Sequence, residues 1–216
     1  MLVYARIKTA LESFAKETRG SFTVEAVITI PLLFWGIAAT YEFFEVHRYK
    51  SVREKATYTV ADMISRETRE EGLNVAYLDN AMTLFNEMSN DTGTNLMRVS
   101  VVQYDEINDI YEVVWSQLRG TGTTLDPLET DDVRNAHDTL PIVDNGDQII
   151  LVESNSFYEP FLGLALDRFL VDTRMFTAIR FASQVCYEGV CGPDDGTPPD
   201  ASDDDDSTAN NNDGGT

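Results

Sequence analysis

Glu25 is the only formally charged residue in the twenty-residue run Phe22–Tyr41, and Gly20 stands five positions ahead of it. A carboxylate inside so apolar a run is costly unless something compensates it, and for that reason it usually has a role. The chemistry open to it is charge pairing. A second candidate group is Cys186 with Cys191, separated by four residues that include Gly189. In an oxidising compartment such a pair closes a small disulfide loop; elsewhere it stands as two free thiols. Zinc is the weaker reading, because a site needs four ligands and both histidines lie far away in sequence. His137 gathers Asp131, Asp132 and Asp138 nearby, but without matching ligand spacing an acidic surface loop is the simpler account. The run Asp203–Asp206 lacks the alternating ligands and turn glycine of a calcium loop. No phosphate-binding loop, nucleophile elbow or histidine-centred triad is present. Carboxylates are too frequent for any two to be singled out as an acid–base pair. The expectation is a non-enzymatic protein with no cofactor and no resident metal.

The elements that must carry these residues follow from periodicity. Residues 1–20 form a basic leader with Arg6, Lys8, Lys16 and Arg19, and its Leu2, Ile7, Leu11 and Phe14 fall at helical spacing. Residues 21–46 read as a transmembrane helix, since Phe22–Tyr41 alone would span roughly 30 Å. Pro31 falls inside it, where membrane helices tolerate a kink. Gly36, Ala38 and Ala39 make a smooth patch for another helix. The helical pattern continues through Tyr49, Val52, Ala56, Val60 and Met63 toward Glu70, with Gly72 as the stop. A second amphipathic helix is expected over Val75–Ser89, broken by Asn90-Asp91-Thr92-Gly93. Strands are expected at Leu96–Tyr104, Ile110–Gln117, Gln148–Tyr158 and Thr173–Tyr187. Tyr111, Val113 and Trp115 should share one face of the second strand and form core. Residues 119–147 read as a long loop with one helical turn near Asp131–Asp138. Pro160–Leu170 is apolar and is expected to dock against the membrane or the core. The fold class is therefore α+β: a long N-terminal helix, then a small antiparallel four-stranded sheet with a second helix over residues 47–192. Residues 193–216 are Pro, Gly, Asp, Asn, Ser and Thr with little apolar content, and read as a disordered acidic tail.

Charge is unevenly spread. Residues 1–55 hold eight Lys/Arg against six Asp/Glu, whereas residues 56–216 hold eight Arg, no Lys and thirty-one Asp/Glu. So acidic a surface repels nucleic acid, and no nucleic-acid partner is expected. Four Lys/Arg precede the apolar run and four follow closely (Arg48, Lys50, Arg53, Lys55), so loop charge does not orient the span.

Three plain readings compete for residues 22–41. A buried core helix conflicts with the length and the near-absence of charge. A secretory signal cleaved after Gly36-Ile37-Ala38 conflicts with the long leader and with Glu25. An ordinary uncleaved anchor carrying an acidic binding module stands as the alternative. The segment Arg19-Gly20-Ser21-Phe22-Thr23-Val24-Glu25 resembles the processing site of type IV pilins and pseudopilins. The longer run from Gly20 through Glu25-Ala26-Val27 and Pro31 to Phe34 resembles the start of TadE-like (TadE/TadG-like) proteins of the tight-adherence, or Flp-type, pilus system. The resemblance is close over residues 19–35 and only architectural beyond residue 70. It implies that a prepilin peptidase cuts after Gly20 and leaves Ser21 as the new N-terminus. Glu25 then occupies the fifth mature position, in the first turn of the new helix, where it offsets the helix dipole and pairs with the free amine of a neighbour. Ser21 stands where the familiar pilin has Phe, and Phe22 follows it. The resemblance also implies a single-pass protein of a bacterial inner membrane, N-terminus cytoplasmic and C-terminal domain periplasmic. Its partners would be the membrane, other Tad pilus proteins and pseudopilins, and its function would be support of pilus assembly.

Overall fold

A computed structural model describes residues 21–67, 72–90, 93–122, 124–161, 163 and 166–192. The leader, Gly20 and the acidic tail lie outside these residues. The long helix α1 runs Ser21–Ile64, unbroken through Pro31. At 1.5 Å per residue its 44 residues extend about 66 Å. It stops six residues short of the expected Glu70. Glu25 is the fifth described residue of this helix, counted from Ser21. Gly72 then takes a left-handed φ of 58° in the connection to the next helix.

That helix, α2 (Val75–Ser89), matches the expected span. Asn74 caps its start by accepting from the Tyr77 amide at 2.9 Å, and Asn90 ends it in the left-handed conformation. Leu78, Ala81, Met82 and Phe85 fall at helical spacing and are buried. Four strands follow: β1 (Asn95–Asp105), β2 (Ile110–Gly120), β3 (Gln148–Tyr158) and β4 (Phe169–Ala178). They form one antiparallel sheet in the order β2-β1-β3-β4. Between β2 and β3 lies a single helical turn, α3 (Thr130–Val133), shorter than the expected 131–138.

Three layers result. The second half of α1, together with α2, covers one face of the sheet. Its core joins Ala56, Val60 and Ile64 of α1 to Leu78 and Phe85 of α2 and to Met97, Val99, Trp115, Ile150 and Val152 of the sheet. The segment around α3 covers the other face with Leu128, Val133 and Leu140 against Val102, Tyr111, Ile149 and Leu151. The segment is fastened to the outer edge of β2. The Tyr111 amide donates to Arg134 O, the Val113 amide to Thr130 Oγ1, and Leu128 N to Ser116 Oγ. Central strands β1 and β3 are thus buried on both faces, whereas β4 alternates because only its helix side is covered.

Two expectations are corrected. In β2 the pairing steps from Val101↔Trp115 to Val102↔Val113, so Val114 is an extra residue. Such a bulge changes the side-chain parity. Trp115 therefore enters the helix-side core, while Tyr111 and Val113 belong to the opposite one. The last strand begins at Phe169 and ends at Ala178, not Thr173–Tyr187. Phe169–Val171 pairs with Ser156–Tyr158, and beyond Ala178 the chain leaves the sheet. Arg180 N donates to Ser65 O and its guanidinium meets Asp62 at 3.1 Å. The following segment crosses back over the helix-side core, where Trp115 Nε1 donates to Val185 O at 2.8 Å.

One charged group lies between the sheet and the α3 layer. Glu153 accepts from Arg98 Nε at 2.6 Å and from Arg174 Nε at 2.8 Å, and Arg98 also donates to Asp126 O. Glu153 and Arg98 are both buried. Removing the acid leaves a buried guanidinium without its counter-charge, which is far costlier than never having the pair. Glu153→Ala is expected to cost about 3 kcal/mol, read as a lower urea midpoint for the α+β domain with an unchanged slope; a change below one-third of that would show that the cluster contributes little.

Candidate functional site

α1 changes character along its length. Beyond about residue 45 it packs on the domain, and Glu42 is already buried, whereas the apolar run before Glu42 is largely exposed. Phe22 is 82% exposed and Leu32 70%, and Ile28, Phe34, Trp35, Phe43 and Phe44 are all exposed. None of its most apolar window is buried in the chain. The core-helix reading therefore fails for residues 22–41. The helix is long and apolar enough to cross a membrane and is compatible with a membrane anchor. Glu25 lies on this bare stretch, exposed like its neighbours. Ser21 is the first described residue and is helical. Gly36 has open space where a side chain would be, and Thr40, one turn on, donates its hydroxyl to Gly36 O. A shallow notch lined by Leu32, Leu33, Gly36, Ile37 and Thr40 results, at the smooth patch expected for helix approach.

The second half of α1 is fixed to the sheet by polar contacts that no periodicity search finds. Arg53 is only 1% exposed. Its guanidinium lies 3.7 Å from the Tyr49 ring centroid and donates to Asn95 Oδ1 at 3.0 Å. Asn95 in turn donates to Asn86 Oδ1 of α2. The Asn95 carbonyl closes against Gly120, where an added Cβ would lie 2.2 Å from the oxygen; only glycine fits there. One turn past Arg53, the buried hydroxyl of Thr57 meets Ser154 at 3.2 Å and Thr173 at 3.0 Å. These groups fix both the rotation and the height of α1 on β3 and β4, because sliding by a turn would bury them without partners.

Cys186 and Cys191 are joined in a disulfide, with Cα atoms 4.4 Å apart. The loop turns through Gly189 at a φ of 82°. It is docked on the connection between the helices: Leu73 N donates to Cys186 O, and Glu188 N to Leu73 O, each at 2.8 Å. His137 does not gather Asp131, Asp132 and Asp138. Its Nε2 lies 2.9 Å from Asp109 Oδ1 in the β1–β2 turn, and Tyr104 donates its hydroxyl to the same oxygen at 2.7 Å. Among the described residues no group of three or more His, Cys, Asp or Glu could hold a metal ion.

The Asp109 turn has a definite titration signature. Hydrogen bonds from Tyr104 and then His137 hold the Asp109 carboxyl below the usual carboxylate range. Reciprocally, the bond to Asp109, followed by burial, pushes the Tyr104 phenol up from 10.0 to about 12. The phenol's contribution to stability is complete below its ordinary value and is lost as pH climbs through about 12. That of Asp109 is present above the ordinary carboxylate value and is lost as pH falls through its depressed one. Replacing Asp109 by Asn removes the negative charge. In that variant Tyr104, identified by difference against Tyr104→Phe in absorbance at alkaline pH, is expected to ionise closer to 10; an unmoved titration would show that Asp109 is not the cause.

Comparison with known proteins supplies no relative: no family model, no curated protein and no solved structure matches this chain.

Proposed function

We propose that the chain is a TadE-like minor pseudopilin of a tight-adherence (Flp-type) pilus, anchored in a bacterial inner membrane and acting in pilus assembly without enzymatic activity of its own. The observation that carries the reading is the unbroken helix α1. Its naked apolar half carries Glu25 and follows Gly20 of the processing-like motif in the sequence, and its second half is built into a small α+β domain. In this reading a prepilin peptidase removes residues 1–20. Glu25, about 6 Å along the axis from the new amine, is then neutralised by the terminus of a neighbouring subunit, which removes the cost of an unpaired carboxylate in lipid. The notch at Gly36 gives a second helix close approach.

Placement of the domain outside the cytoplasm is supported by the Cys186–Cys191 disulfide, since such bonds persist in oxidising compartments. The acidic balance of residues 56–216 also suits a domain held off a negatively charged membrane surface. Its partners in this reading are the membrane, the peptidase and the other pilus subunits.

N-terminal sequencing of protein purified from its own membranes is expected to begin at Ser21, and Gly20→Ala is expected to retain the leader. A mature end elsewhere, or an intact mass that includes the first methionine, would favour the uncleaved anchored module instead. Glu25→Ala is expected to insert normally and to lower surface pilus output by about tenfold or more, the effect of losing one charge pair worth about 1.4 kcal/mol per assembled contact; wild-type output would remove the assigned role of Glu25.

A further inference from the structure

At the end of the domain nearest the apolar half of α1, a groove of about 550 Å³ opens between α1, the end of α2 with Gly93 and Thr94, and the end of β3 with Glu159, Phe161 and Arg168. Its position on the helix is fixed by contacts: Tyr49 donates its hydroxyl to Phe157 O at 3.0 Å, and its ring meets that of Tyr158 at 5.0 Å. Glu45 and Arg48 on its wall lie four and seven residues beyond Tyr41, or roughly 6 and 10 Å along the helix axis. The headgroup region occupies roughly 5–8 Å on each side of a bilayer's hydrocarbon core. A helix that crosses a membrane through Tyr41 therefore holds Glu45 within the headgroup region and the Arg48 backbone just beyond it, a gap that a side chain leaning toward the helix N-terminus spans.

The lining has an unusual balance. Arg48 pairs with Glu45, and Arg168 lies 3.4 Å from Glu159. Both guanidiniums are more than half exposed, and a guanidinium has five donors, so each retains donors for a further acceptor. The four formal charges cancel, and the domain formed by the residues after 55 is otherwise strongly acidic. An anionic ligand meets that acidic field; a ligand carrying both signs does not. Beside the charges stand exposed apolar groups. Phe161 is 85% exposed, Phe157 is partly exposed with the Arg168 guanidinium 4.2 Å from its ring centroid, and Phe43 and Phe44 are exposed just below on α1. Aromatic side chains beside mixed charges match the boundary between headgroups and acyl chains.

We propose that this groove seats the headgroup of a zwitterionic phospholipid, of the phosphoethanolamine class, from the leaflet through which α1 emerges. The phosphate lies between Arg48 and Arg168, the ammonium faces Glu45 and Glu159, and Phe161 enters the interface beside the acyl chains. The assignment rests on the membrane-anchored reading of α1.

The test uses the full chain reconstituted in vesicles of equal parts phosphatidylethanolamine, phosphatidylglycerol and phosphatidylcholine, then released and weighed intact with its retained lipid. Phosphatidylethanolamine is expected to be retained about tenfold over its share, the ratio given by one net charge-assisted hydrogen bond. The double variant Arg48→Gln, Arg168→Gln should lose this enrichment while remaining in the membrane. In parallel, a nitroxide label at Phe161→Cys should be exposed to oxygen and shielded from a water-soluble nickel reagent, and one at Ile107→Cys in the β1–β2 turn should show the reverse. Three results overturn the proposal: retention in proportion to the mixture, enrichment of the anionic lipid, or a label at 161 as wet as that at 107. If the wild-type chain also resists extraction by alkaline carbonate, those results leave the anchor reading standing. If carbonate strips it from the vesicles, the anchor reading and the groove assignment fall together.

Discussion

α1 has to satisfy two surroundings with one hydrogen-bonded rod. Along its first half every backbone donor beyond the first turn, apart from the position of Pro31, is satisfied within the helix, so apolar side chains are free to face a medium without water. Along its second half a stripe of small and branched residues, Ala56, Val60, Ala61 and Ile64, is pressed against a sheet. None of the most apolar window of the first half is buried in the described chain, and nothing interrupts the helix between the halves. The rest of the architecture follows from that continuity. The domain has no freedom of its own relative to the apolar half except by bending the rod, and displacement of one is felt by the other.

Apolar packing alone would not define how the domain sits on such a rod. An aliphatic stripe can slide or roll at small cost, because volume-conserving repacking is tolerated. The buried Arg53 and the Thr57–Ser154–Thr173 hydroxyl cluster remove that tolerance. Each has its partners at one height and one rotation only, and a misplaced helix would bury a guanidinium or hydroxyl without them. The arrangement is a case of polar groups specifying a geometry that hydrophobic burial stabilises. It also explains why the sheet ends up with its β3–β4 connection toward the apolar half and its β1–β2 turn, with Asp109, away from it.

Much of this was legible in the sequence wherever a single period governed a segment. Leu78, Met82 and Phe85 with an Asn at each end place α2 to the residue, and the β-branched run after Gln148 does the same for β3. The four-stranded antiparallel sheet beneath a long helix follows from the same patterns. Failures came where tertiary pairing overrode the local pattern. The Val114 bulge is invisible in an apolar stretch, because Val113, Val114 and Trp115 suit either face until the partner strand chooses. Phe169–Val171 reads as the end of an apolar loop until Ser156–Tyr158 pairs with it, and Val185 and Tyr187 look strand-like although they pack as an irregular segment on the core. Of the candidate site residues, Gly20 lies outside the described residues, and Ser21 and Glu25 come together only as neighbours on the same helix. The cysteines are brought together, and His137 is brought to a different aspartate from the three beside it in sequence. Arg53, Asn95 and the three hydroxyls had no sequence signal beyond being polar residues at otherwise buried positions.

The locked seam bears on what the chain can do with its apolar half. If the helix were joined to the domain by a loop, helix association in a membrane would leave the domains free to reorient, and contacts between them would each have to be paid for in ordering entropy. Here the rotation of α1 is already fixed by Arg53 and Thr57, so choosing which side of α1 meets a neighbour also chooses which side of the domain meets it. The Gly36 notch and the Arg53 contacts lie seventeen residues apart on one rod. At 3.6 residues per turn that is close to five turns, less about one-quarter. A neighbour seated at Gly36 therefore approaches the domain at a defined angle to the β3–β4 side. The groove at Tyr49, Phe157 and Arg168 is subject to the same constraint, since its height above the apolar run depends on the helix and not on the loop that lines it. In this chain the small polar seam, rather than the size of either core, determines how the two halves of the molecule are presented to their surroundings.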